Sequence, residues 1–207
     1  EEAAADILRV STLESAGSRS VRLFPRGDGA DQQLKIYKLG ALALSDAVPV
    51  LENFGFRVIG ELPTRLRDES DAFVHDFVVQ CPPFLGDPAV LEDAIAAVLE
   101  GRDENDGFNR LIVEADMAPS AVVLFRAWFR YLRQAGLPYG LATVVDALRR
   151  APQVAAALIG RFNAAHDPAS DGATADADRA IEAGLDAVSQ IDDDRILRAI
   201  RAVIAAT

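Results

Sequence analysis

Two histidines, His75 and His166, and one cysteine, Cys81, are the side chains of this 207-residue sequence best suited to nucleophilic or metal chemistry, and they lie far apart. No two of them stand at metal-ligand spacing, whereas a structural zinc site needs four sulfur or nitrogen ligands, so no metal is expected. His75 sits in an alternating run, Phe73 to Val79, and reads as a histidine hydrogen-bonded within a sheet or at its rim; a buried base is the other reading. Cys81 precedes Pro82-Pro83 with no adjacent basic residue to lower its pKa, which fits a structural thiol better than a nucleophile.

The remaining polar groups have structural readings as well. Gly27-Asp28-Gly29 lacks the third glycine and the immediate helix that a dinucleotide fingerprint requires, so it reads as a turn. No Gly-x-Ser-x-Gly elbow and no phosphate loop ending in Lys-Ser or Lys-Thr occurs. Glu104 and Asp106 flank Asn105 and Gly107 as a capping loop would, feeding a helix that starts near Phe108. Arg126, Arg130 and Arg133 fall at i, i+4 and i+7 on a helix without acids between Pro119 and Gln134. That stripe reads as a solvated face, with docking of an acidic neighbour as the other reading. No catalytic, cofactor-binding or metal residue is expected in this chain.

The elements that position these groups begin with residues 34–66. Leu34, Ile36 and Leu39 make a β-compatible run, and Ser45 with Asp46 stand where a helix cap belongs, before Val48, Leu51 and Phe54 at helical spacing. Gly55 ends that helix and Arg57, Val58 and Ile59 are extended again. Strands are predicted near 21–24, 34–39, 57–62 and 73–79, the last interior to the sheet because both its faces are largely apolar. Helices are predicted at 46–54 and from Pro88 to Glu100, with Asp87 as cap. After Gly101 the pattern is helical throughout: a face through Phe108 and Leu111, a helix from Pro119 stopped by Gly136 and Pro138, another over 140–150, and a fourth from Pro152.

The expected architecture is therefore α+β: a small antiparallel sheet with helices on one face, followed by an all-helical bundle. Residues 1–19 are a lead-in, 20–101 the α+β domain and 102–166 the helical domain. DPASDGATADAD at 167–178 is read as a linker, being too small and acidic to bury a core, and 179–207 as a helical tail.

Composition narrows the classes of function. Half the residues are hydrophobic, which suits a folded chain, and 21 basic against 32 acidic residues give a net charge of −11. Binding to nucleic-acid phosphates or an anionic membrane is electrostatically disfavoured. No apolar run is long enough to span a bilayer, and EEAAADILRV is acidic where a secretory signal is basic. One cysteine fits a reducing, cytoplasmic setting. Glu1-Glu2 without Met and a final Ile204-Ala205-Ala206-Thr207 read as a segment whose polypeptide continues on both sides.

LKIYKLGALALSDAVPVLENFGFRVIGELPTRL at 34–66 resembles the first half of an ACT domain, a module that often binds amino acids and regulates the enzyme that carries it. VHDFVV at 74–79, ENDGFNRLIVEA at 104–115, RAWFRYLRQAGLPYG at 126–140 and DDDRILRAI at 192–200 are similar, in that order, to the large bacterial NAD-specific glutamate dehydrogenases just upstream of their catalytic region. The resemblance implies a parent enzyme that oxidises glutamate to 2-oxoglutarate and ammonia with NAD, its catalytic lysines and cofactor domain lying beyond Thr207. It implies a cytoplasmic homo-oligomer whose other domains are this segment's partners. It also marks Gly40, Ser45 and Asp46 as residues that would meet an amino-acid effector, since glycine permits close backbone approach and a helix N-terminus favours a carboxylate. One departure stands out: an ordinary ACT domain ends on a strand after its second helix, and here the predicted strand at 21–24 is expected to take that place.

Overall fold

The computed structural model describes residues 2–26, 31–66, 71–82, 84, 86–166 and 173–207. The chain divides into two compact units, Glu1–Asp116 and Met117–Thr207. The predicted turn at Gly27-Asp28-Gly29, residues 67–70 of the charged loop and residues 167–172 of the predicted linker lie outside the described residues.

In the first unit α1 (Glu2–Ser11) is followed by β1 (Ser20–Pro25), β2 (Asp31–Leu39), α2 (Leu44–Asn53), β3 (Arg57–Arg65), β4 (Ala72–Gln80) and α3 (Pro88–Leu99). The strands form one antiparallel sheet in the order β1-β2-β4-β3, so the apolar strand β4 is interior and β1 supplies an edge beside β2. Leu34 stands opposite Phe77 and Ile36 opposite His75. These residues and Val79 share one face and are all buried. The helices do not all lie on that face. Lys35 and Tyr37, which alternate with Leu34 and Ile36, point the other way and are covered by α1, whose Asp6 accepts from both. The lead-in is thus an ordered helix on the opposite face, with Val10 packed against Tyr37, Ala72 and Val74.

Gly55 closes α2 with φ +91°, donating to the carbonyl of Glu52 at 2.9 Å while Phe56 donates to that of Leu51 at 3.0 Å. That pair of bonds satisfies two of the carbonyls a helix end leaves open. Asp87 caps α3 by accepting from the Ala89 amide at 2.9 Å, and Pro88 opens its first turn. The unit boundary falls after Asp116 and not after Gly101. A single turn over Gly107–Asn109 and α4 (Arg110–Glu114) return to α2: Asn53 donates to Asn105 at 2.9 Å, and the Glu114 carboxylate lies against Gly55.

The second unit is helical: α5 (Pro119–Gln134), α6 (Leu141–Arg150), α7 (Pro152–His166), α8 (Ala173–Asp186) and α9 (Ile191–Ala206). Trp128 meets Phe125 and Phe162 edge to face, at centroid separations of 5.3 and 5.4 Å. Leu148, Leu158, Ile181, Leu197 and Ile200 complete an interior in which each fully buried apolar side chain contributes roughly 1.5–3 kcal/mol. Residues 173–178, read as linker, are helical, and α8 and α9 are part of this unit, not a separate tail. Arg161 reaches Asp178 at 3.2 Å, and Arg150 grips the buried Asp193 with two bonds of 2.7 Å. A Cβ on Gly184 would lie 2.5 Å from Val154 Cγ2, which measures how closely α7 and α8 approach.

Candidate functional site

The turn between β2 and α2 is built from three anchors. Gly40 adopts φ +78°, which favours glycine, and its amide donates to Asp71 at 2.8 Å. Lys38 folds back so that its ammonium donates to the carbonyls of Leu39 and Ala41 at 3.2 and 2.9 Å. Burial, then the nearby Arg19 charge, lowers the Lys38 pKa, with Asp46 acting in the opposite sense. The Leu42 amide donates to His75 Nε2 at 3.2 Å, while His75 Nδ1 lies 2.8 Å from the Glu61 carboxylate. An Nε2 that accepts from an amide places the proton on Nδ1, donating to Glu61. Both ring nitrogens of this buried histidine are therefore engaged in tying the turn to β4 and β3, the structural reading of His75.

Ser45 and Asp46 do not cap α2. The helix starts earlier, with Ala43 as N-cap and no side-chain cap bond, because the preceding turn is already fixed by His75 from the sheet. Both residues stand exposed in the first helical turn, where the Ser45 hydroxyl donates to Asp46 at 3.3 Å. The Asp46 carboxylate favours the helix N-terminus itself and repels an incoming carboxylate. Gly40, Ser45 and Asp46 are brought into one turn, but among the described residues the ammonium held there is that of Lys38, which sequence reasoning passed over along with Glu61. Nothing local marks either residue, since the contacts that define them come from the sheet register.

The other candidates have structural partners. Cys81 donates from its thiol to Pro82 at 3.0 Å, and burial, with the Glu114 charge, pushes its pKa up to about 11, far from a thiolate nucleophile. Asp106 accepts from the Phe108 amide at 3.0 Å, the expected capping loop, and Asn109 donates to the Glu104 carbonyl at 3.0 Å. His166 stacks on Phe162 at 4.2 Å. The arginine stripe is not a uniformly solvated face: Arg126 is only 4% exposed, and Arg133 donates to the carbonyls of Leu137 and Tyr139 beyond the end of α5. Spacing along a helix shows which residues share a stripe, not which stripe faces inward. No described helix is long and apolar enough to cross a membrane.

Residues 19–89 match the glutamate dehydrogenase ACT3 domain, and residues 103–168 match glutamate dehydrogenase helical motif 3. The chain belongs to the glutamate dehydrogenase family. Similar full proteins named NAD-specific glutamate dehydrogenase come from Pseudomonas aeruginosa, 36% identical over 86% of this chain, and Mycobacterium tuberculosis, 32% identical over 80%. A third, from Halomonas elongata, is 28% identical over 98%. The chain spans only 12%, 11% and 13% of the lengths of these three glutamate dehydrogenases. Within this chain the ACT3 match contains the whole β2–α2 turn with its His75 and Glu61 anchors, and the helical-motif match takes in α5, α6 and α7.

Proposed function

We propose that this chain is a non-catalytic regulatory and scaffolding segment of an NAD-dependent glutamate dehydrogenase, whose whole polypeptide deaminates L-glutamate oxidatively to 2-oxoglutarate and ammonia. One observation carries the reading: the side chains best suited to chemistry are taken up by structure, with both nitrogens of His75 engaged and the Cys81 thiol held protonated. NAD binding and hydride transfer then belong to other parts of the polypeptide. Its partners under this reading are those other domains, in a homo-oligomeric cytoplasmic enzyme.

Calorimetric titration of the folded chain with glutamate, aspartate and NAD, together with an assay for NAD reduction, tests it. No turnover and no saturable heat is the expected result. Turnover would overturn the reading. Saturable heat with one amino acid would replace the scaffold by an amino-acid sensor, and loss of that heat in Asp46→Ala or Lys38→Met would place the effector at the β2–α2 turn.

A further inference from the structure

Of the three anchors of the β2–α2 turn, one ends on a titratable acceptor. The Gly40 amide and the Lys38 ammonium donate to main-chain carbonyls, which gain no proton near neutral pH. The third bond, from the Leu42 amide, ends on His75 Nε2, an acceptor only while the imidazole is neutral. Histidine is the side chain that ordinarily gains its proton between about pH 5 and 8. A proton on Nε2 sets that N–H against the Leu42 N–H, two donors with no acceptor between them. Turning the ring over does not rescue the bond, because an imidazolium donates from both nitrogens.

The ring itself is held on the sheet. Its Nδ1 lies 2.8 Å from Glu61, a carboxylate of β3 whose side chain is only 12% exposed, so an imidazolium has a buried counter-ion ready. Phe73 stacks beside it at 5.9 Å, within the distance at which an aromatic ring attracts a cation. The other charges near it are balanced in pairs. Lys38 of β2 and Arg65 of β3 both stand opposite Phe73, the next pair along this face; Arg65 meets Asp71 at 2.7 Å, and α2 brings Asp46 near Lys38. The segment on the other side of the bond is lightly seated. None of residues 41–46 is buried, and the core contacts of α2 start at Ala47 and continue through Val50, Leu51 and Phe54.

We propose that His75 is a proton-operated catch: neutral, it ties the β2–α2 turn to the sheet, and protonated, it keeps Glu61 and releases Leu42, freeing the stretch between Gly40 and Ala47. That stretch contains Ser45 and Asp46 and lifts without opening the core. The catch is built from this chain alone and stands whether or not the turn meets an effector.

Nuclear magnetic resonance of the full chain between about pH 8 and pH 5 tests this. The ring nitrogen shifts of His75 report its proton, and deuterium exchange at Leu42, divided by the rate of an unstructured amide at the same pH, reports the bond. Protection of Leu42 is expected to fall roughly tenfold or more as His75 gains its proton, while protection of Gly40 stays constant. His75→Gln, whose side-chain amide accepts and donates without titrating, should hold Leu42 equally across the range. Glu61→Gln should move the release down by about one pH unit, since the imidazolium loses its counter-charge. Leu42 protection that ignores the titration of His75 overturns the proposal, and so does a His75 that stays neutral throughout. Joint loss at Gly40 and Leu42 would mean that acid opens the whole unit, which overturns it as well; these readings come from the unaltered chain and need no variant to fold. A release that persists in His75→Gln, or that is indifferent to Glu61→Gln, also counts against it.

Discussion

On the α1 face of the sheet, the buried Lys35 and Tyr37 share the Asp6 carboxylate, with Glu2 as a second acid at Lys35, whereas the interior around α5 is filled by Trp128, Phe125 and Phe162 in edge-to-face contact. The first arrangement joins two segments by a few directional bonds whose partners become costly when left alone. The second spreads its stabilisation over area and contact, so that truncation is felt as a cavity. The sheet unit therefore owes the position of its lead-in helix to a polar network, and the helical unit owes its cohesion to shape.

That contrast can be broken first at Trp128. Trp128→Ala is expected to lower the stability of the helical unit by about 3–5 kcal/mol, read from denaturant midpoints, and a loss below about 1 kcal/mol would show that the aromatic cluster is not its core. Asp6→Ala comes next. It removes the acceptor of Tyr37 and one of the two acids at Lys35, and is expected to cost about 1.5–3 kcal/mol, Glu2 retaining a contact of 2.7 Å with the lysine. Replacing the network by packing, with Asp6→Leu, Lys35→Met and Tyr37→Phe together, should recover most of that loss; failure to recover would mean the charges do more than hold α1.

His75→Phe keeps the ring volume but strands the Leu42 amide and the Glu61 carboxylate. A loss of about 1–3 kcal/mol is expected, with faster deuterium exchange at Leu42, and unchanged exchange would show that the histidine does not fix the turn. The smallest effect is expected at Glu100. Burial pushes its carboxyl up, but the bond from the Arg19 amide and the pairing with Arg102 outweigh burial and hold it below its ordinary 4.5. Its folded pKa lies below its unfolded pKa, so its stabilisation is present above about pH 4.5 and is lost as pH falls through the folded value. Glu100→Gln should therefore flatten the acid limb of the stability curve while changing neutral stability little. An unaltered acid limb would count against the pairing.

Most of the fold was legible because local signals and tertiary burial agree. The four strands follow the alternation of apolar residues, Gly55 and Asp87 mark helix ends by their own backbone chemistry, and the N-terminal strand joins the sheet beside β2. What escaped was decided by groups distant in sequence. Ser45 and Asp46 are good capping residues, yet Ala43 opens α2 because His75, 33 residues beyond Leu42, has already set the turn. Residues 173–178 carry the small, acidic composition of a linker, but their alanines are also strong helix formers once Arg161 and α7 are alongside. The effector reading of Gly40, Ser45 and Asp46 concerns a helix N-terminus whose first turn carries the Asp46 carboxylate, as the sequence itself shows. The cation at that turn, Lys38, looked like an ordinary strand residue.

Arg9 of α1 donates to the Val21 carbonyl of β1 and Glu92 of α3 accepts from its Leu23 amide, and these two partners, which also bind each other, are 83 residues apart. At a synthesis rate of roughly 5–20 residues per second, the carboxylate leaves the ribosome about 4–17 s after the arginine. Strand β1 and its hairpin partner β2 are complete at Leu39, 53 residues before Glu92, so the Leu23 amide of the finished hairpin waits roughly 3–11 s for its acceptor. A nascent chain that stalls before Glu92 would lack the carboxylate that takes up this amide in the finished chain.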